Sequence, residues 1–281
     1  MIREKETGMA TLSELYKKRF GLDRDFSAET EEKFSSGAAE ILNRRTHRRY
    51  TDEAVSDELL DALLACAQSA PAKSDLQQYS IIVITDPVSR EAIGGWEGEA
   101  PVFMLFCADM RRQQRLAKHR GHDHQNNNVD TFMNGVMDAT LAMQAFILAA
   151  ESSGLGCCPI SQVRNRLPMF REICSIPDSV FPVAGMCVGW PVATGYISMR
   201  VPPSVVVHRD KYDDSTMEVE VDAYDARRHE IYQIPARSQR HPDIYGVLDF
   251  CSWSENTTRQ LSLPERADFK AFLQAHGYDL D

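Results

Sequence analysis

The segment TFMNGVMDATLAMQAFILAAES, residues 131–152, constrains the fold more than any other part of this chain. Val136, Thr140, Met143, Ile147 and Ala150 fall on one helical face, and the run is apolar enough to form a central helix that ends at Gly154. YSIIVIT (79–85) and PVFMLFCA (101–108) are short continuous apolar runs bounded by polar residues or proline, the pattern of central strands covered on both faces. GLGCCPI and PVAGMCVGW add two further strand candidates, with a helical stretch near residues 165–173 between them. From Ser56, Leu60, Leu63, Leu64 and Ala67 recur at helical spacing; Ser56 is the candidate N-cap, Asp57 and Glu58 suit the positive helix end, and Pro71 stops the run. The resulting order is helix, strand, strand, helix, strand, helix, strand. Residues 111–128 read as a polar loop rich in His and Asn.

Residues 1–38 read as a charged helical extension lying on the outside, with Leu12, Leu15 and Tyr16 on one stripe, and residues 39–281 as the main domain. Near the C-terminus, Ser262 and Glu265 have capping-box spacing, Phe269, Phe272 and Leu273 form an apolar face, and Gly277 closes the helix. A net charge of −10 argues against a nucleic-acid or membrane-surface binder, which needs a broad basic field. No stretch reaches the roughly 18 consecutive apolar residues of a membrane span, and the N-terminus lacks the apolar centre of a signal peptide. The expected location is the cytoplasm, where the seven cysteines would be reduced, buried thiols.

Against that acidic background, RRTHRRYTDE (44–53) concentrates positive charge. Such runs are most often solvated. If the segment is helical, however, Arg44, Arg45 and Arg48 share one side, where they repel one another unless an anion sits between them, and a phosphate accepts bidentate bonds from such a fork. Arg200, in ISMRVPPS, is a second anion candidate. The chain has neither GxxxxGK[ST] nor GxGxxG, so a dedicated Rossmann nucleotide site is not expected. His119, His122 and His124 have a spacing that imidazoles use for metals but lie in polar sequence, and no metal site is expected; the absence of GxSxG argues against a serine hydrolase.

Three stretches in register, NRRTHRRYTDEAVSDELLDALLACAQSAPAKSDLQQYSIIVITD, GVMDATLAMQAFILAAESSGLGCCPISQVRN and FPVAGMCVGWP with MRVPPSVVVH, resemble the flavin-dependent nitroreductase family, most closely its oxygen-insensitive nitroreductase and flavin reductase branch. The resemblance covers about residues 38–212, and the C-terminal helix is similar as well. It implies an α+β sandwich with a central mixed sheet flanked by helices, and an interlocked homodimer with FMN at the subunit interface. It further implies a ping-pong reaction from NADPH or NADH to a small-molecule electron acceptor such as a nitroaromatic, quinone or flavin. A non-catalytic FMN-binding sensor on the same fold is the rival reading.

By position, the resemblance assigns the FMN phosphate and ribityl chain to Arg44, Arg45, Thr46, Arg48 and Arg200. Ala72, Lys73, Ser74 and Gln77 fall on the family's serine-rich turn near the flavin ring, with Lys73 and Asp75 as departures. The ring is expected against Pro159 and Ile160. Ser161 and Gln162 stand where the branch has two glycines, and the Gln162 backbone N–H is the expected donor near flavin N5. Ser198 replaces a lysine of the branch, and Arg237 and Arg240 are candidates for a 2′-phosphate contact. No catalytic side chain is expected, because the flavin carries the redox chemistry.

Overall fold

The computed structural model describes residues 10–281. Along the chain lie α1 (Leu12–Phe20), α2 (Ala28–Lys33), α3 (Ser36–Asn43), α4 (Asp57–Gln68), β1 (Tyr79–Ile84), α5 (Pro87–Ile93), α6 (Gly95–Glu99), β2 (Val102–Asp109) and α7 (Arg111–Arg120). They are followed by α8 (Val129–Ser152), β3 (Gly156–Ile160), α9 (Leu167–Ile173), β4 (Val180–Gly189), α10 (Pro203–Val206), α11 (Met217–Ile231), α12 (Pro242–Tyr245), α13 (Trp253–Leu261) and α14 (Phe269–Ala275). The chain forms two units: residues up to Arg44 with Tyr196–Glu265, and Arg45–Gly195 with Arg266–Asp281.

The second unit is built on a sheet of order β1-β2-β4-β3. All three pairings are antiparallel, whereas the resemblance implies a mixed sheet. β2 and β4 are buried along their whole length. On β2, Val102, Met104, Phe106 and Ala108 enter one core with α4 and α8, while Phe103, Leu105 and Cys107 enter a second with Ile160, Val163 and Phe170. This two-sided burial follows from the period-2 alternation of a strand. The Ser56 cap forms as expected, its hydroxyl accepting the Leu59 N–H, and α4 buries Leu60, Leu63 and Ala67.

Four expectations need correction. β1 is an edge strand, with Ser80–Val83 half-buried, because an apolar run does not reveal its place in the strand order. α8 buries Thr131, Asn134, Gly135, Asp138, Ala139, Ala142 and Phe146 along with Ile147 and Ala150, while Thr140 is exposed and Val136 and Met143 are only partly covered. The smaller residues face the sheet, where the close approach of Gly135 to Ala108 leaves no room for larger ones. The first part of the stretch read as loop is α7, a helix polar all round and thus without an apolar period to announce it. Ser262 ends α13 instead of opening a helix, and α14 begins only at Phe269. Its Phe269, Phe272 and Leu273 do join the core, and Gly277 follows with φ +90°.

In the first unit, α1 opens with a capping box between Thr11 and Glu14. Glu31, just ahead of the end of α2, adds its carboxylate to the N–H groups of Leu12 and Ser13 at 2.8 and 3.2 Å. Those bonds lower the Glu31 pKa. Leu12 and Leu15 are buried, and Tyr16 packs on Phe20 and Phe26. α11, which sequence periodicity did not signal, buries Tyr224 and Asp225; Asp225 accepts from the Ser254 N–H and hydroxyl.

Gly185 of β4 faces the second core: a Cβ there would come within 2.6 Å of Val163 and 2.9 Å of Phe103. Gly185→Ala is expected to destabilise the fold by about 1–3 kcal/mol through overpacking, seen as a lower midpoint in thermal unfolding.

Candidate functional site

The arginine segment is not helical. α3 stops at Asn43, and Arg44, its C-cap, is already extended at φ −59°, ψ 140°. Residues 45–51 are then pinned on both sides. The His47 N–H donates to the Cys157 carbonyl of β3 at 3.1 Å, the Val192 N–H to the Arg49 carbonyl at 3.2 Å, and the Thr51 N–H to the Trp190 carbonyl at 2.8 Å. The Tyr50 hydroxyl is shared between the carbonyls of His47 and Cys187 at 2.6 and 3.2 Å, and burial keeps the phenol protonated by raising its pKa. Arg45 Nη1 donates to the Gly195 carbonyl at 3.0 Å, which orients that guanidinium. Arg48 is exposed and makes no hydrogen bond or ion pair among the described residues, while Thr46 is half-buried beside it. The helical one-sided fork is therefore replaced by a backbone-anchored strip that presents Arg48 to solvent.

The turn from Ala72 to Gln77 is held in an unusual conformation. Ser74, Asp75 and Gln77 have φ of 49°, 58° and 51°, values that non-glycine residues adopt only when their surroundings dictate it. Two residues supply that constraint. Asp138 of α8, 1% exposed, accepts the Lys73 N–H on one oxygen at 3.0 Å and the Gln78 N–H on the other at 2.9 Å. Arg112 of α7 donates to the carbonyls of Gln77 and Tyr79 at 2.7 and 2.9 Å and to the Ser80 hydroxyl at 2.8 Å, with Asp109 at 3.5 Å as its ion-pair partner. The side chains of Lys73, Ser74 and Gln77 remain exposed, and Gln77 bonds Asp75 at 3.0 Å.

At the other edge of the sheet, β3 ends with Pro159 exposed and Ile160 buried. Ser161 and Gln162 follow, both exposed, and Gln162 opens a one-turn helix, Gln162–Asn165, as its first residue, a position whose N–H has no intrahelical partner. β1 and β3 are separated by three inter-strand spacings, roughly 14 Å. One chain thus places the Ala72–Gln77 turn and the Ser161–Gln162 turn on opposite edges instead of side by side.

Arg44 and Arg200 belong to the other unit, and there the structure draws their backbones together. The Arg19 guanidinium contacts the carbonyls of Arg44 and Ser198, and the Arg200 N–H donates to the Arg19 carbonyl at 2.8 Å. Arg200 itself is exposed, its Nη1 resting on the Ser198 carbonyl at 3.0 Å. Arg237 and Arg240 are exposed near a one-turn helix, Ala236–Ser238. His119 lies on α7 and His122 and His124 in the loop after it; no group of three or more metal-ligating side chains is found among the described residues. Sequence reading missed Arg19, Arg112 and Asp138. Asp138 carried a signal, as a lone acid well inside an apolar helix; the other two sit in charged helices where nothing distinguishes them.

Comparison with known proteins matches residues 41–190 to the nitroreductase family and residues 198–281 to the C-terminal domain of that family, so α1 and α2 precede both spans. An FMN reductase (NADPH) of Bacillus subtilis is 30% identical over 249 residues, covering 85% of this chain and 96% of its own. An oxygen-insensitive NADPH nitroreductase of Salmonella typhimurium is 31% identical over 244 residues, 85% of this chain and 96% of its own. Among solved structures, the NfrA1 nitroreductase of B. subtilis superposes with a TM-score of 0.78 at 30% identity over 88% of this chain and 100% of its own. An NADPH:FMN oxidoreductase of Vibrio harveyi, complexed with NAD+, gives 0.75 at 25% identity over 86% and 98%.

The double anchor at Asp138 can be tested directly. Asp138→Asn keeps one acceptor but turns an amide N–H₂ toward a backbone N–H, at a local cost of about 1–3 kcal/mol. Hydrogen exchange followed by mass spectrometry is expected to accelerate in peptides spanning residues 72–78.

Proposed function

This chain belongs to the nitroreductase family, and from that premise we propose a specific working site for it. It is an FMN-dependent oxidoreductase that uses NADPH or NADH to reduce a small-molecule acceptor. The observation that carries the site assignment is the pinned strip at Arg45–Arg48, which holds one guanidinium oriented and another exposed without a partner among the described residues. That donor set suits a phosphate, which takes charge-assisted bonds from fixed guanidiniums.

Of the residues proposed to hold FMN, Arg45, Thr46 and Arg48 serve the phosphate and ribityl chain in one unit, and Arg44 and Arg200 are the arginines of the other. In the turn held by Asp138 and Arg112, the backbone of Ala72 and the exposed side chains of Lys73, Ser74 and Gln77 would contact the ring system. Lys73 brings a positive charge that favours an anionic reduced form. Pro159 and Ile160 provide a wall, and the Gln162 N–H is the donor at N5. Bound FMN would supply the two-electron redox chemistry that links the nicotinamide to the acceptor. The protein's own share is to bind, orient and shield, and the exposed side chains of Ser161 and Gln162 would narrow the space open to an acceptor or offer it a polar contact.

The working form we propose is an interlocked homodimer. Val129, Met133, Met137 and Leu141 form a stripe along the outer face of α8 and are 43–53% exposed, more contiguous apolar surface than a monomer helix ordinarily leaves in water. β1 offers an apolar open edge, flanked by cavities of about 740 and 500 Å³ on its two faces. α8 is long and apolar enough by length and composition to cross a membrane, but one face packs on the sheet around a buried Asp138, which favours a core and interface helix. All seven cysteines are outside disulfides, in keeping with a reducing compartment, and we propose the cytoplasm.

The purified protein is expected to show flavin absorption that bleaches anaerobically with NADPH and recovers on adding a quinone or nitroaromatic. Bound flavin that NADPH never bleaches would favour the sensor reading. Arg48→Ala is expected to weaken FMN binding by about tenfold or more in a fluorescence titration, as befits one charged hydrogen bond.

A further inference from the structure

The N-terminal helix α1 precedes the span shared with the family, yet one of its side chains holds backbone that carries two of the proposed phosphate arginines. Arg19 is 7% exposed. Its Nε and Nη2 donate to the Leu42 carbonyl at 3.0 and 2.7 Å, Nη2 also reaches the Arg44 carbonyl, and Nη1 donates to the Ser198 carbonyl at 2.9 Å. One planar cation thus caps the C-terminal turn of α3 and ties it to residue 198. A cation is favoured at that helix end by the carbonyl dipoles it meets.

The return contacts are equally specific. The Arg19 carbonyl accepts the Arg200 N–H at 2.8 Å, so α1 grips the 198–200 segment through side chain and backbone together. Gly21, at φ +66°, lets Met199 approach so closely that a Cβ would lie 2.8 Å from its terminal methyl. Met199 is held from the opposite direction by the Tyr224 hydroxyl, which donates to its carbonyl at 3.1 Å. At its N-terminal end α1 is held by Glu31, which accepts the Leu12 and Ser13 N–H groups. Arg19 thereby brings a buried positive charge to the backbone at Ser198.

We propose that Arg19 is a positioning residue for the cofactor phosphate: by fixing the backbones of Arg44 and of Ser198–Arg200, it makes α1 part of the machinery that selects a phosphorylated flavin. The inference rests on the FMN reading above. Its guanidinium is spent on carbonyls, so it acts through Arg44 and Arg200 and does not touch the ligand.

The test compares FMN with riboflavin, which lacks the phosphate, using fluorescence titrations of the full-length wild type, Arg19→Met, Arg19→Lys, Arg200→Ala and the Arg19→Met/Arg200→Ala double variant. In Arg19→Met, FMN affinity is expected to fall by about tenfold or more while riboflavin affinity holds. Lysine, which keeps the charge but lacks the planar fork, should recover only part of the selectivity. The effect of Arg19→Met should shrink in the Arg200→Ala background, because coupled residues are not additive. Equal losses for both flavins, or unchanged FMN affinity in a folded Arg19→Met, would overturn the proposal. If Arg19→Met does not fold, Arg19→Lys decides, and wild-type selectivity in that variant overturns it. Failure of the wild type itself to bind FMN is a separate result, which removes the FMN reading and this inference with it.

Discussion

The buried carboxylate of Asp138 is the interaction on which the arrangement of the site depends. It sits on the sheet-facing side of an otherwise apolar helix and would be costly there without partners. Its two oxygens are taken by the N–H groups of Lys73 and Gln78, at the two ends of a turn containing three non-glycine residues with positive φ. The two hydrogen bonds offset both the strain of that turn and the desolvation of the carboxylate, and they form only when turn and carboxylate are both in place. Arg112 completes the arrangement by taking the carbonyls of Gln77 and Tyr79, so the turn enters β1 with both kinds of backbone group satisfied. A site that leaves redox chemistry to a cofactor needs this kind of fixed scaffold more than it needs reactive side chains.

The same economy shows in the electrostatics. The chain is strongly acidic overall, yet several of its arginines are used on backbone carbonyls: Arg19 on Leu42, Arg44 and Ser198, Arg45 on Gly195, Arg112 on Gln77 and Tyr79. A guanidinium spent this way brings positive charge to a chosen place and fixes its surroundings at once. Arg48, exposed without such a partner, differs from these. The buried thiols go the other way. Burial raises the pKa of Cys107 and Cys187, so these sulfurs are kept neutral and out of the chemistry.

Much of the fold was legible because it is local. The Ser56 cap, the apolar runs of β2 and β4 and the apolar α14 face each announce themselves within a few residues. What could not be read is non-local. β1 and β2 look alike in sequence, and only the strand order makes one an edge and the other a centre. The choice of Ala139 and Ala142 over Val136 and Met143 for the buried side of α8 depends on how near the sheet lies, which periodicity does not encode. α7 is charged all round, so the helix that supplies Arg112 has no apolar stripe. For the candidate site, the motif residues are proposed from type and spacing, but the geometry of the arginine strip was not legible: residues 45–51 gain their conformation from β3 and from Trp190, Val192 and Gly195, far along the chain.

The placement of the turns on the sheet has a consequence for assembly. The Ala72–Gln77 turn leads into β1, and Ser161–Gln162 leave β3, so the two groups of residues proposed to meet a flavin ring lie at opposite edges, roughly 14 Å apart across β2 and β4. Those central strands are packed on both faces, leaving no cleft through the sheet that would join the edges. In the proposed homodimer, a two-fold axis along the exposed α8 stripe would resolve this by bringing one chain's β1 edge toward the other's β3 edge and forming two equivalent sites at once. In that proposed dimer the apolar side chains on the outside of α8 would serve catalysis indirectly, by joining an otherwise divided set of residues into a site.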